Sequence, residues 1–402
     1  MSPSAAAPVR QHDVVVVGGG NGGVSAAARL RREGCPDVVL VEPQDTHRYK
    51  PLYNYVGAGR ASLAELSRPQ ADVIPDGVDW HRSEVVSVDP EQRTVTCADG
   101  AVLGYGDLVL APGGRVAWEQ LPGATEAVAA GRLCSTFVAE LAVRTWQRVS
   151  QLTSGTAVFS IHADPSSGRE TALKPLFMAC DHWSREGCLD DIEVVLVCDT
   201  AALHPVPRID REIRDALARY SVTLRTRTRV VGVEEDGQVV VLDGGDGGVE
   251  RLPVDLLHLL PPYTAPAFVA ASGLDAPGTR GYLAVRADTL RHPDHDHVWC
   301  IGDGADLGTA RTGGALRRQV AIMVENIRRS RRGEELQRYD GYTVAPIATS
   351  LDRLSFGEYD GADQVVSSVP LVDQVTSRRV WWLVDRYLLP WTYWNRILRG
   401  KL

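Results

Sequence analysis

HDVVVVGGGNGGVSAAARLRREGCPDVVLVE, residues 12–42, decides the fold. Val14 to Val17 form an unbroken apolar run ending in glycines, the pattern of a strand buried on both faces of a parallel sheet. VSAAARLRREG then carries helical spacing with Gly34 as its stop, and DVVLVE supplies a second buried strand. Within this strand–helix–strand unit, Gly18, Gly20 and Gly23 make a GxGxxG pattern, with Asn21 and Gly22 completing the turn. Gly18 permits the tight turn, Gly20 lets the backbone approach a pyrophosphate, and Gly23 lets the helix lie close to the strand. The helix N-terminus adds positive potential. Glu42 ends the second strand about 20 residues on, where a carboxylate accepts from ribose hydroxyls. A dinucleotide is therefore expected here.

Downstream, the alternation in VDWHRSEVVSVDP and RTVTCADGAVL predicts a β-rich stretch turning at Asp99-Gly100, before YGDLVLAPGG gives another buried strand. The strand and helix pattern restarts near residue 121. Helices are predicted over 139–152, 173–187 and 210–221, with strands over 156–161 and 192–199. Two β segments then flank a glycine-rich turn at 244–248. HVWCIGDGADL is a strand entering a glycine turn, followed by the helix TGGALRRQVAIMVENIRRS. The expectation is α/β: two Rossmann-like three-layer domains plus a β-containing, Trp-rich C-terminal tail. Its boundaries are 11–120 with 290–345 for a discontinuous dinucleotide-binding domain, 121–289 for a second Rossmann-like domain, and 346–402 for the tail.

The 402 residues, 44% hydrophobic and 23% charged, suffice for two cores. A formal charge of -8 lacks the basic footprint of nucleic-acid binding, which is not expected. Seven widely spaced cysteines without a CxxC pair point to reduced thiols and no metal centre. The N-terminus has no secretory pattern and no run of about 18 apolar residues occurs, so a cytoplasmic protein, at most peripheral to a membrane, is expected.

Two further segments favour FAD as the dinucleotide. LVLAPGG (108–114) resembles the ATG turn and CIGDGAD (300–306) the GD turn of two-dinucleotide flavoproteins. The resemblance narrows with EPQDTHRYKPLYNYVGAGR (42–60), RPQADVIPDGVDW (68–80), TARTGGALRRQ (309–319), RYDGYTVAPIAT (338–349) and PWTYWNRILRG (390–400). Together they resemble the sulfide:quinone oxidoreductase family, in its mitochondrial-type branch, over residues 12–400. The resemblance implies an FAD-dependent oxidoreductase whose cofactor contacts include Pro43, Lys50, Val85, Ala111, Pro112, Gly113, Gly302, Asp303 and Arg311.

The resemblance also fails at a decisive place. Family members oxidise sulfide through two cysteines flanking the flavin, one in the second domain and one directly after the GD turn. Here Gly304 follows Asp303, and ADPSSGRETALKP contains no cysteine, with Arg169 or Glu170 near the expected place. Cys180 and Cys300 read as small buried hydrophobes, not replacements. No second GxGxxG occurs, since TAVFSIHADPSSGRET stands in its place, although a transient NAD(P)H donor is still compatible.

The expected activity is two-electron reduction of a quinone-like or electron-poor aromatic metabolite, with NAD(P)H as donor and without sulfide oxidation. A sulfide enzyme with rearranged cysteines, or a non-redox flavin-binding protein, are the competing readings. Arg311 stands where relatives have a lysine near the flavin pyrimidine; a guanidinium there favours negative charge on that ring, unless it is a surface arginine. Lys174, in the altered segment of a lysine-poor chain, is the second catalytic candidate, with His162, His182 and Tyr342 as weaker polar candidates. The C-terminal cluster of Trp381, Trp382, Trp391 and Trp394 among basic residues suits a membrane interface, a cover for the flavin site or a homodimer contact. Asp385 interrupts the face in that reading.

Overall fold

The computed structural model describes residues 9–163, 170–245, 248–368 and 372–402. Its first sheet is centred on the strand Arg10–Val17, flanked in parallel by Val38–Val41 and Val102–Leu110. Val14, Val15 and Val16 are fully buried because helices and loops cover both faces. Val78–His81 extends this sheet beyond Val38–Val41, and Val298–Cys300 pairs with the end of Val102–Leu110. The sequence reading placed Val78–His81 in one β-rich stretch with the strands that follow it. It is a further parallel strand, and the antiparallel meander is formed by Val85–Asp89, Thr94–Cys97 and the start of Val102–Leu110.

The helix Asn21–Arg32 follows the first strand after three residues and packs beside the long helix Gly313–Arg332. Gly34 ends the first helix in a left-handed conformation (φ 94°), and the Cys35 N–H donates to the Leu30 carbonyl. A side chain would strain that turn, so glycine supplies the stop read from sequence.

The second sheet runs Leu133–Cys134, Leu256–Leu259, Gly155–Ile161, Ile192–Cys198, Thr223–Arg225, all parallel. Helices Ala139–Gln151, Leu173–Glu186 and Pro207–Arg219 accompany it, and an antiparallel sheet of Arg229–Glu234, Val239–Asp243 and Val249–Pro253 covers one side. The chain thus builds two Rossmann-like α/β units. Ala265, Phe268, Val269, Leu274, Tyr282, Leu283 and Leu290 all join the first core, so by packing this segment goes with the first unit and not with the second.

The tail comprises an antiparallel pair, Thr343–Ala348 with Leu354–Tyr359, and a helical segment from Arg379 to Ile397 with π-helical stretches at Val384–Leu388 and Tyr393–Ile397. No helix among the described residues is long and apolar enough to cross a membrane.

Candidate functional site

Three glycine turns converge where the first strand ends. Gly18 has φ 99°, and a Cβ there would lie 2.3 Å from the Ala111 carbonyl oxygen. At Gly23 a Cβ would lie 1.7 Å from the Gly18 carbonyl oxygen. Both contacts are with backbone, so neither position can take a side chain. Gly22 is nearly as tight: a Cβ there would meet Leu316, Ala111 and Ile301 at 3.2–3.4 Å. Gly20 is different, because a Cβ at this position meets nothing within 4 Å. The protein itself does not require glycine there; close approach of the turn to a pyrophosphate would.

The second turn, Ala111-Pro112-Gly113, is fixed by the Ala111 N–H donating to the Val17 carbonyl at 2.9 Å, with Gly113 at φ 71°. The third is fixed by the Ile301 N–H donating to Leu110, and by Gly302 (φ 74°), whose N–H donates to Gln319 Oε1 at 3.0 Å. Asn21 Nδ2 contacts the Gly313 carbonyl at 3.4 Å, which brings the N-termini of both long helices to the same place. The positive ends of two helix dipoles meet here, an arrangement suited to a phosphate-bearing group. The residues present fit FAD, whose pyrophosphate these termini and Gly20 would hold.

Glu42 sits at the end of its strand and accepts from the Gly19 N–H at 2.6 Å and the Gln44 N–H at 2.7 Å, one on each oxygen. Each oxygen keeps a lone pair for a ribose hydroxyl. Pro43 and Lys50 are exposed, while Val85 is buried opposite Cys97. Burial raises the Asp303 carboxyl above the ordinary carboxylate value, against the lowering pull of Lys50 and Arg311.

Arg311 is buried, not a surface residue. Its guanidinium donates to the Asp303 carbonyl at 3.2 Å, pairs with Asp306 at 3.4 Å, and lies 4.1 Å from the ring centre of Tyr282. Its Nε has no hydrogen-bond partner among the described residues. A guanidinium held by the glycine turn on one side keeps donor capacity for another group.

Lys174 is fully buried near the start of helix Leu173–Glu186. Its Nζ donates to Asp385 Oδ2 at 2.6 Å, and the Tyr55 hydroxyl donates to the same oxygen at 2.7 Å. This corrects the sequence expectation for Asp385: it does not interrupt the exposed face but points inward, with Trp381 and Tyr393 one helical turn or two away on the same buried side. Val380, Leu383, Val384, Tyr387, Leu388 and Trp391 line an open apolar groove on the other side. Asp385, Tyr55 and His47 were missed in the sequence. An acid within an otherwise apolar and aromatic segment, in a lysine-poor chain, was the available signal.

His47 connects the tail to the fingerprint turn. Its Nδ1 lies 3.0 Å from the Gly19 carbonyl and must donate to it, so Nε2 accepts from the Tyr393 hydroxyl at 2.5 Å. Burial lowers the pKa of this histidine, which favours the neutral ring that the two bonds require.

The weaker candidates are dispersed. His162 contacts the Pro261 carbonyl at 3.3 Å, His182 meets Trp146 edge-on, and Tyr342 lies buried beneath Arg318. Arg169 lies outside the described residues. Glu170 is buried and accepts from the Tyr359 hydroxyl at 3.2 Å.

All seven cysteines are free. Cys180 and Cys300 are completely buried, and desolvation raises both thiols well above the ordinary value. Neither has thiolate character at neutral pH. A Cβ at Gly304 would lie 3.0 Å from the Gly113 carbonyl oxygen and 3.1 Å from Pro112 Cγ. A side chain there would need the neighbouring turn to give by a few tenths of an ångström.

The pyridine nucleotide-disulphide oxidoreductase family model matches residues 12–146. The chain is 27% identical to the mitochondrial sulfide:quinone oxidoreductase of Mus musculus over 393 residues, covering 97% of this chain and 87% of that one. It is 25% identical to ferroptosis suppressor protein 1 of Taeniopygia guttata over 366 residues, 88% of each. The crystal structure of the Aquifex aeolicus sulfide:quinone oxidoreductase superposes with a TM-score of 0.80 at 18% identity, covering 96% of this chain and 92% of that one.

Proposed function

For this chain, an FAD-dependent oxidoreductase and a sulfide:quinone oxidoreductase-like flavoprotein, we propose two-electron transfer from NAD(P)H to a quinone-like or electron-poor aromatic acceptor, without sulfide oxidation. The observation that carries this reading is Gly304. It leaves no sulfur at the position directly after Asp303, and the buried Cys180 and Cys300 offer no thiolate in exchange.

Bound FAD supplies the hydride-accepting and two-electron-donating chemistry. The chain's own residues bind and orient. Gly18, Gly20, Asn21, Gly22 and Gly23 shape the phosphate turn; Glu42 holds a ribose; Ala111 to Gly113 and Gly302-Asp303 close the pocket. Arg311 supplies fixed positive charge from within the fold, available without reorganisation where negative charge develops. Overall, NAD(P)H loses a hydride to become NAD(P)+, and the quinone gains that pair of electrons and two protons, one of them from solvent.

The tail serves the acceptor side. Val380, Leu383, Tyr387, Leu388 and Trp391 are each about half exposed on one helical face, a shape suited to lying on a membrane surface where apolar quinones dissolve. Lys174 and Asp385 hold that helix to the second unit.

Anaerobic flavin absorbance tests the proposal, with NADH, NADPH, sulfide and a quinol offered separately. Bleaching by a nicotinamide and recovery on adding a benzoquinone are expected, and rapid bleaching by sulfide overturns the reading. Sedimentation with anionic phosphatidylcholine/phosphatidylserine vesicles tests the tail: Leu388→Asp with Trp391→Asp should abolish binding while flavin content stays unchanged. A stable dimer that these substitutions dissolve would assign the face to a second copy.

A further inference from the structure

We propose that the second unit retains an adenosine-ribose site in which Asp199 accepts from the ribose hydroxyls, making NADH the preferred reductant over NADPH. The inference rests on the nicotinamide-donor reading above and goes beyond it by naming the cofactor and the residue that selects it.

The two sheets repeat one another strand for strand. In the first, Val78–His81, Val38–Val41, Arg10–Val17 and Val102–Leu110 are neighbours in that order. In the second, Thr223–Arg225, Ile192–Cys198, Gly155–Ile161 and Leu256–Leu259 are neighbours in the same order, again all parallel. Gly155–Ile161 therefore corresponds to the strand before the phosphate turn, and Ile192–Cys198 to the strand that ends in Glu42.

The correspondence extends to single atoms. Glu42 directly follows its strand and accepts from the N–H of Gly19, two residues beyond the end of Arg10–Val17. Asp199 directly follows its strand and accepts through Oδ2 from the N–H of Ala163 at 3.1 Å, two residues beyond the end of Gly155–Ile161. The same hydrogen bond thus sets both carboxylates at the carboxyl end of the sheet, at the crevice where nucleotides bind in such folds.

Asp199 also has an unmet need. Its other oxygen, Oδ1, is buried with no hydrogen-bond partner among the described residues. A buried acceptor without a donor is destabilising, and hydroxyls of a ribose supply donors at this place. A 2′-phosphate would instead set negative charge against the carboxylate, which favours NADH over NADPH. The sequence after Gly155–Ile161 carries no GxGxxG, so the selection is assigned to the ribose acid.

Equilibrium binding tests this without turnover: NADH and NADPH fluorescence titrated into FAD-loaded protein, with NAD+ and NADP+ as competitors. NADH should bind at least about tenfold more tightly than NADPH. Asp199→Ala should weaken NADH about tenfold or more, one hydrogen bond to a charged group. Asp199→Asn, which keeps the bond to Ala163 but removes the charge, should narrow the NADH-to-NADPH gap. Flavin absorbance and melting temperature verify that both variants are folded. Equal affinities in the parent, a preference for NADPH, or unchanged NADH affinity in both variants overturns the inference. NADH that binds with the stated preference but leaves the flavin oxidised supports the site and refutes the donor reading on which the proposed function stands.

Discussion

Removing the Asp385 carboxylate should release the tail helix. In the parent, Asp385 Oδ2 accepts from Lys174 Nζ at 2.6 Å and from the Tyr55 hydroxyl at 2.7 Å, with both charged side chains nearly inaccessible to water. Asp385→Ala leaves a buried ammonium and a buried hydroxyl without their acceptor. Breaking such a pair costs about 3–5 kcal/mol, and a stranded hydroxyl adds about 1–3 kcal/mol. The loss is concentrated where the tail meets the second unit, so amide hydrogen exchange across Arg379–Ile397 is the assay, in preference to global unfolding of a two-unit chain. Every 1.4 kcal/mol is tenfold, so protection should fall by about 100-fold or more, until the helix exchanges as freely as an open segment. Substituting all three groups, as Lys174→Met, Asp385→Leu and Tyr55→Phe, should restore much of it, because apolar residues of similar volume replace a buried pair at little cost. Protection in Asp385→Ala within about threefold of the parent, or a triple variant no better than the single one, would refute the reasoning.

Gly20→Val should yield folded protein depleted of flavin, because no protein atom opposes a Cβ there, whereas Gly23→Ala should lose stability together with flavin through its contact with the Gly18 carbonyl; absorbance at the flavin bands and a melting curve separate the two. Cys180→Ser with Cys300→Ser should leave quinone reduction intact apart from a packing penalty of about 1–3 kcal/mol for burying new hydroxyls, and Gly304→Cys alone should not confer sulfide-dependent bleaching. Because burial depresses the pKa of His47 in the folded state, its contribution is complete above the unfolded value of about 6.5 and is lost as pH falls below it toward the folded pKa. His47→Gln should flatten that part of the stability profile, and an unchanged acid-side slope in chemical denaturation would assign it to other groups.

The first unit was legible because its information is local. Gly18, Gly23 and Gly34 answer to backbone geometry within a few residues, and Val14–Val17 announces a strand buried on both faces by composition alone. The resemblance of LVLAPGG and CIGDGAD to flavoprotein turns likewise lay in short segments, and the α/β architecture followed from their order. The tail was less legible, since a helix's apolar and polar positions show its faces but not which of them meets the protein. Asp385 looked like a break in an exposed surface until folding brought Lys174 and Tyr55, 211 and 330 residues away, to the same oxygen. Arg311 was similarly open to a surface reading until Tyr282 and the Asp303 carbonyl enclosed it. Sequence alone determined the dinucleotide fold and the missing cysteines, which are properties of short segments and residue identity. The partners of buried charges were decided by tertiary structure, because burial and hydrogen bonding across hundreds of residues depend on which surfaces the finished packing closes.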